Sequence, residues 1–209
     1  MRVLVADDHP IFRAGVKETL AKESDVEFVG EADNGHKVLE LARKQHWDVV
    51  LLDITMPGRD GLEVLNELTR ERPKVPVLIL SAHPEDQLAL RLLKSGAAGY
   101  LTKDQAPKVL IAAIRRVLQG GKYISATLAE KVVQELAPGG ATPLHGTLSV
   151  REYQIMQMIA SGKTIDEICK ELSLGASTVR TYRARVFEKM NMKSATELVR
   201  YALENKLID

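Results

Sequence analysis

The sequence predicts an α/β domain built on a five-stranded, doubly wound parallel sheet, followed by a separate all-α domain. Three observations predict it. Up to about residue 125 short apolar runs alternate with helical patterns; after Leu148 such runs disappear and short helices follow one another; and between the two lies Pro138-Gly139-Gly140-Ala141-Thr142-Pro143, which has no periodicity. A chain of 209 residues has room for both.

The elements follow in order. Val3 to Ala6 precedes a helical pattern from Phe12 to Ala21, Glu27 to Ala32 precedes Val38 to Arg43, and Val49 to Asp53 precedes Leu62 to Arg70. Val77 to Ser81 then precedes Gln87 to Lys94, and Gly99 to Leu101 precedes Val109 to Leu118. Val49-Val50-Leu51-Leu52 shows no polar alternation, which fits a central strand covered on both faces. Pro10, Pro84 and Pro107 precede or open helical patterns, where a missing amide donor matters least, and Gly61, Gly96 and Gly99 fall where the chain turns.

The residues just past each run carry the chemistry. Asp7 and Asp8 follow the first, Asp53 ends the third, Ser81 ends the fourth, and Thr102 and Lys103 follow the fifth. In a parallel sheet these tips converge, and ligands gather beyond the carboxyl ends of the strands. Three carboxylates brought together repel one another and need a counter-charge to stay ionised. Magnesium suits such a place, because it prefers hard oxygen donors and commonly combines one or two carboxylates with phosphate oxygens. Lys103 adds a second cation. His9, His36, His46 and His83 form no metal-ligand spacing with another acid or cysteine and are expected to be ordinary surface or partly buried histidines.

With these residues at these places, positions 1–125 resemble the receiver domain of two-component response regulators. The resemblance implies a flavodoxin-like fold, Asp53 as phosphoacceptor assisted by Lys103 and Ser81, and magnesium held by Asp7, Asp8, Asp53 and the backbone carbonyl of Thr55. It also implies a switch, in which Ser81 bonds a phosphoryl oxygen after transfer and Tyr100 swings inward. The chain departs from many receivers in carrying Asp104 rather than proline after Lys103, which removes one reason to expect a cis peptide there.

Residues 126–147 read as a connector. Ala126 to Leu136 sets Leu128, Val132, Val133 and Leu136 at helical spacing, and 137–147 has the composition of a mobile tether. Within 148–209, Thr147 or Ser149 caps a helix whose stripe is Tyr153, Ile155, Met156 and Ile159, ended by Gly162. A second helix runs from Ile165 to Leu172 and is closed by Ser173-Leu174-Gly175. The third, Ser177 to Met190, turns Val179, Tyr182, Val186 and Met190 inward and leaves Ser177, Arg180, Thr181, Ala184 and Glu188 outward. The last, Ala195 to Glu204, carries Leu198, Val199, Ala202 and Leu203 in one stripe.

A net charge of +1 hides an uneven distribution: from Ala176 to Lys193, Arg180, Arg183, Arg185, Lys189 and Lys193 face a single acid, Glu188. A local basic stripe suggests a polyanionic partner. Leu148-Ser149-Val150-Arg151-Glu152, Ile159-Ala160-Ser161-Gly162-Lys163-Thr164, Glu167-Ile168, Leu172 and Ser177-Thr178-Val179-Arg180 resemble the LuxR-type helix-turn-helix of NarL/FixJ response regulators. The resemblance implies that the third helix enters the major groove, with Arg180, Thr181 and Ala184 near base edges. Arg183, Arg185, Lys189 and Lys193 are then expected at phosphates or flanking positions, with Thr178 also among the DNA-binding residues. Ile165-Asp166 and Tyr182 depart from the family's commoner residues.

Together the resemblances imply a phosphorylation-controlled transcription regulator rather than an enzyme, beyond catalysing its own phosphorylation and dephosphorylation. Its implied partners are a sensor histidine kinase, double-stranded promoter DNA and, when active, a second copy of itself. An alternative is a magnesium-dependent phosphohydrolase with Asp53 as nucleophile; a common design places a second acid two residues on, where Thr55 stands. A third reading makes the first domain a phosphorylation-independent dimerisation module. No apolar run approaches 18 residues, so no membrane span is expected, and the start runs into acids rather than a signal peptide, so the cytoplasm is the expected location. The single cysteine, Cys169, excludes an intramolecular disulfide and a cysteine-rich zinc site, and reads as a small buried apolar residue.

Overall fold

The computed structural model describes the chain except residues 57, 58, 60, 83–86, 137–142, 173, 206 and 209, and the side chains of 87, 131 and 134–136. The expectations for His83, Pro84, Ser173, the side chain of Leu136 and positions 137–142 of the tether lie outside the described residues. Two compact units emerge, Met1–Gly140 and Ala141–Asp209.

In the first unit β1 (Arg2–Ala6), β2 (Phe28–Ala32), β3 (Val49–Asp53), β4 (Val77–Ser81) and β5 (Gly99–Thr102) pair in parallel in the order β2-β1-β3-β4-β5. Helices α1 (Pro10–Ala21), α2 (Gly35–Lys44), α3 (Gly61–Glu71), α4 (Gln87–Lys94) and α5 (Ala106–Leu118) connect and follow them. Every residue of β3 and β4 is buried, as their non-alternating sequences require. One face of the sheet contributes Val3, Val5, Val49, Leu51, Leu78 and Leu80 to a core completed by Val16 and Leu20 of α1 and by Leu110, Ala113, Ile114 and Val117 of α5. Each valine, leucine or isoleucine among them stabilises the fold by about 1.5–3 kcal/mol on burial.

The helix starts have local causes. Pro10 opens α1, Pro107 lies in the first turn of α5, and Asn34 caps α2 by accepting the Lys37 N–H at 3.0 Å. Chain direction across the sheet reverses between β1 and β3, and the crevice at their carboxyl ends is where Asp7 and Asp53 stand. Gly61 keeps α3 tight against the loop after β3: a β-carbon there would lie 2.5 Å from the Ile54 backbone. A further helix, α6 (Ala126–Leu136), packs against α4 and buries Leu128, whose N–H donates to Ser125 Oγ at 3.1 Å.

The second unit consists of α7 (Val150–Ala160), α8 (Ile165–Leu172), α9 (Ala176–Lys189) and α10 (Ala195–Glu204). Ser149 caps α7 in a reciprocal box with Glu152, and Thr164 and Glu167 form a second such pair at the start of α8. Gly162, at φ +82°, takes the left-handed conformation just past α7. Ile155, Met158, Ile168 and Val179 form the core, with Ile165, Cys169 and Tyr182 packed against it. One expectation is corrected. Leu144–Thr147, assigned from composition to the mobile tether, is a 3-10 turn in which buried His145 meets the Tyr201 hydroxyl, 2.8 Å from its Nδ1.

Candidate functional site

The strand tips of the first unit bring Asp7, Asp8, Asp53, Ser81 and Lys103 into one pocket. Register does this work: Asp53 ends β3 beside Leu80, Ser81 ends β4 beside Thr102, and the Lys103 N–H donates to the Ser81 carbonyl at 2.8 Å. Lys103 Nζ then reaches across the sheet, 2.7 Å from Asp53 Oδ2 and 2.7 Å from Asp7 Oδ2. The other oxygen of Asp53 accepts the Thr55 N–H at 2.8 Å and the Thr55 hydroxyl at 2.7 Å. Asp7, Asp53 and Ser81 are fully buried. So is Tyr100, which already points away from solvent in this structure.

Burial alone would push the Lys103 ammonium down, but the carboxylates of Asp53 and Asp7 outweigh it and hold the group above lysine's ordinary value. Even so the pocket is short of positive charge, since three carboxylates face one ammonium. Asp7 Oδ2 has the Lys103 ammonium at 2.7 Å and Asp8 Oδ1 has His9 Nδ1 at 2.8 Å, and neither oxygen has a further partner among the described residues. A small dication with hard oxygen ligands would add a second partner for both atoms and balance the two surplus charges. The donor set therefore fits magnesium.

Two neighbours escape a reading of the sequence. His9 departs from the ordinary histidine expected there: its N–H donates to Asp7 Oδ1 at 2.8 Å, and its Nδ1 lies 3.1 Å from Asp7 Oδ1 and 2.8 Å from Asp8 Oδ1. Arg13 donates from Nη1 to the Asp7 carbonyl at 2.6 Å while its Nε meets Glu31 at 3.3 Å, clamping the acid-bearing loop to the end of β2. The signal for His9 was its adjacency to Asp7 and Asp8, which metal-spacing rules for cysteine and histidine overlook. Arg13 offered none, because its partners are set by tertiary packing. Asp104, after Lys103, is exposed, and no described peptide bond is cis.

In the second unit α9 turns Val179, Val186 and Met190 inward and leaves Ser177, Thr178, Arg180, Thr181, Arg183, Ala184, Arg185 and Glu188 exposed. Arg180, Arg183, Ala184, Phe187 and Lys193 line one shallow groove. Arg183 lies 5.3 Å from the Phe187 ring, and Arg185, on the other flank, 6.0 Å from that of Tyr182. Lys189 is held differently from its expected place among the outward cations: its Nζ is 2.6 Å from Glu152 Oε2, the carboxylate that also accepts the Ser149 N–H at 2.7 Å. Burial would raise the Glu152 carboxyl, but the hydrogen bonds from Lys189 and Ser149 prevail and hold it below the usual glutamate value. The bolt joins the end of α9 to the start of α7.

Two families match these two halves: Response regulator receiver domain over residues 3–115, and Bacterial regulatory proteins, luxR family, over residues 146–202. The chain belongs to the two-component response regulators that join a receiver to a LuxR-type helix-turn-helix. As such it is a DNA-binding transcription regulator under phosphorylation control, not a typical enzyme. Its particular relatives include Response regulator GacA of Pseudomonas aeruginosa, 39% identical over 210 residues, covering 100% of this chain and 98% of that one. Response regulator UvrY of Escherichia coli K12 is 36% identical over 208 residues, covering 99% and 95%. Among solved structures, RcsB of Salmonella typhimurium superposes with a TM-score of 0.61 at 24% identity, covering 96% and 98%, a likeness of fold. Among the described residues no helix is long and apolar enough to cross a membrane.

Proposed function

We propose that Asp53 is the phosphoacceptor of this regulator and that magnesium, held by Asp7, Asp8, Asp53 and the Thr55 carbonyl, is its cofactor. The observation that carries the reading is the buried Asp53 carboxylate, fixed at one oxygen by Lys103 and at the other by Thr55, beside two further acids that a single ammonium does not balance. In the transfer an Asp53 oxygen attacks the phosphorus in line, a new O–P bond forms, and the bond to the donor breaks with its electron pair leaving on the donor. Bound magnesium supplies charge neutralisation and orientation. Lys103 accompanies the phosphoryl oxygens, and its ammonium keeps its proton throughout. The domain thus catalyses its own phosphorylation from a sensor histidine kinase and, by the reverse logic with water, its dephosphorylation.

The new phosphoryl group brings about two negative charges and three acceptor oxygens next to Ser81 and Lys103, which bias the loops and α4 toward one arrangement with Tyr100 inward. Residues 1–125 act as receiver, 126–147 as connector and 148–209 as output, in the cytoplasm. In the output Arg180, Thr181 and Ala184 meet base edges while Thr178, Arg183, Arg185 and Lys193 meet phosphates or flank them. Lys189 contributes by bolting α9 to α7 through Glu152 rather than by a phosphate contact. Two copies pair on DNA, a role supported by exposed Leu203 on α10. The phosphohydrolase alternative is not favoured: the position for its second acid holds Thr55, whose hydroxyl is spent on Asp53.

Labelling with a small phosphodonor in the presence of magnesium tests the assignment. The native chain takes up one acid-stable, base-labile phosphoryl group and Asp53→Asn takes up none; equal labelling of the two would overturn it.

A further inference from the structure

We propose that Phe187, together with Ala184 and Met192, forms an apolar seat for the C5-methyl group of a thymine, which makes Phe187 a specificity-determining residue of the second unit. The inference rests on reading α9 as the helix that enters the major groove, and adds to it the base that one stretch of that helix selects.

Helical period places the ring. Arg180, Ala184 and Phe187 stand at i, i+4 and i+7 of α9 and so share one face, while Val179 and Val186 are buried on another. Phe187 is half-buried, and so is Met192 just past the helix, whose N–H donates to the Phe187 carbonyl at 2.9 Å. These two and exposed Ala184 supply the apolar lining of a shallow groove of about 410 Å³. Arg180, Arg183 and Lys193 supply its cationic lining, and among the described residues no acid lines it. The Arg183 guanidinium lies 5.3 Å from the centre of the Phe187 ring, so the ring is held in place before any ligand arrives.

Chemistry then chooses the occupant. The cations suit the backbone of duplex DNA, but the uncharged surface set between them has nothing to offer a phosphate and is fit only for a base edge. In the major groove thymine alone presents a methyl group, and alanine and phenylalanine are side chains that meet it by apolar contact. The polar edges of guanine, adenine and cytosine would lose water against this surface and gain no hydrogen bond, so the seat selects against them as well as for thymine. Ala184 and Phe187 lie about 6 Å and about 10.5 Å along the helix from Arg180, which puts the thymine about two or three base pairs from the pair that Arg180 meets.

The test uses the full native chain with beryllofluoride and magnesium, and a duplex site selected from random sequence in which each thymine is replaced singly by uracil. That exchange removes the C5-methyl and keeps every hydrogen-bonding group. The expected result is one thymine in the site, or one in each half-site, whose uracil form binds about fourfold more weakly, the worth of one buried methyl. The penalty should nearly vanish in Phe187→Ala and shrink in Ala184→Ser, which alters an exposed position and keeps the test open if Phe187→Ala does not fold. The absence of any such thymine, or a penalty that is the same in the native chain and the folded variants, overturns the inference. In that event a selected sequence that still changes with Arg180→Ala leaves the reading of α9 standing, and one that does not change overturns that reading as well.

Discussion

Asp7 and Asp53 are sealed from solvent and Lys103 nearly so, with opposite charges 2.7 Å apart, whereas the arginines of α9 stand exposed and largely face outward. On the proposed reading both regions deal with phosphate, and the contrast shows two ways of doing so. A buried cluster acts as a unit: each charge is tolerable only because of the others, salt screens it little, and a single phosphoryl group is enough to reset it. An exposed face works by addition, each cation giving a small and salt-sensitive share to a long polyanion. A switch needs the first kind of site and a groove-reading surface the second.

The sharpest way to break that contrast is to remove the cluster's ammonium. Lys103→Ala leaves Asp7 and Asp53 facing each other without a counter-charge, and in metal-free buffer the first unit should lose about 3–5 kcal/mol. The single tryptophan, Trp47, is buried in this unit, so urea unfolding followed by its fluorescence isolates the effect. Added magnesium should return part of the loss in Lys103→Ala; if the variant is as stable as the native chain without metal, the three groups are not energetically joined.

A second prediction concerns the one place where the DNA-facing unit behaves like the pocket. Glu152→Ala removes the reciprocal half of the α7 capping box and the partner of Lys189 and should cost the second unit about 1–2 kcal/mol. Because the folded Glu152 carboxyl lies below its ordinary value of 4.5, its contribution is present above that value and is lost as pH falls through the folded value. The protection factors of α7 and α9 amides, measured relative to intrinsic exchange at each pH, should therefore fall on acidification in the native chain and already be low at neutral pH in Glu152→Ala. Unchanged protection across that range would show the bridge to be ornamental.

The smallest effects belong to single exposed cations. Arg183→Ala or Lys193→Ala should lower the slope of log affinity against log salt by about 0.9 for each phosphate that the side chain neutralises. Lys189→Ala should leave the slope nearly unchanged, since its ammonium is committed to Glu152. Equal slope changes for all three would place Lys189 with the outward cations after all.

Much of this was legible in the residues themselves. Strands without polar alternation, such as Val49 to Leu52 and Val77 to Leu80, could only be central, and once parallel pairing follows, Asp7, Asp8, Asp53, Ser81 and Lys103 must meet at one end. The inward stripe of α9 followed from helical period alone. What escaped depends on where a long or pivoting side chain comes to rest. Arg13 bridges Asp7 and Glu31, Lys189 turns back to a carboxylate 37 positions away, and His145 pairs with Tyr201 at a separation of 56. No periodicity encodes such partners. Tether composition likewise hid the turn at Leu144–Thr147, because glycine and proline nearby say where a chain bends and not what it then packs against.

The most direct measurement is the affinity of the full chain for a DNA site selected from random sequence, taken with and without beryllofluoride and magnesium, for the native protein and for Asp53→Asn. A gain of about tenfold in the native chain and none in Asp53→Asn is the predicted result, a coupling of ordinary size for two linked sites. The same gain in both proteins, or none in either, would contradict control of DNA binding through Asp53.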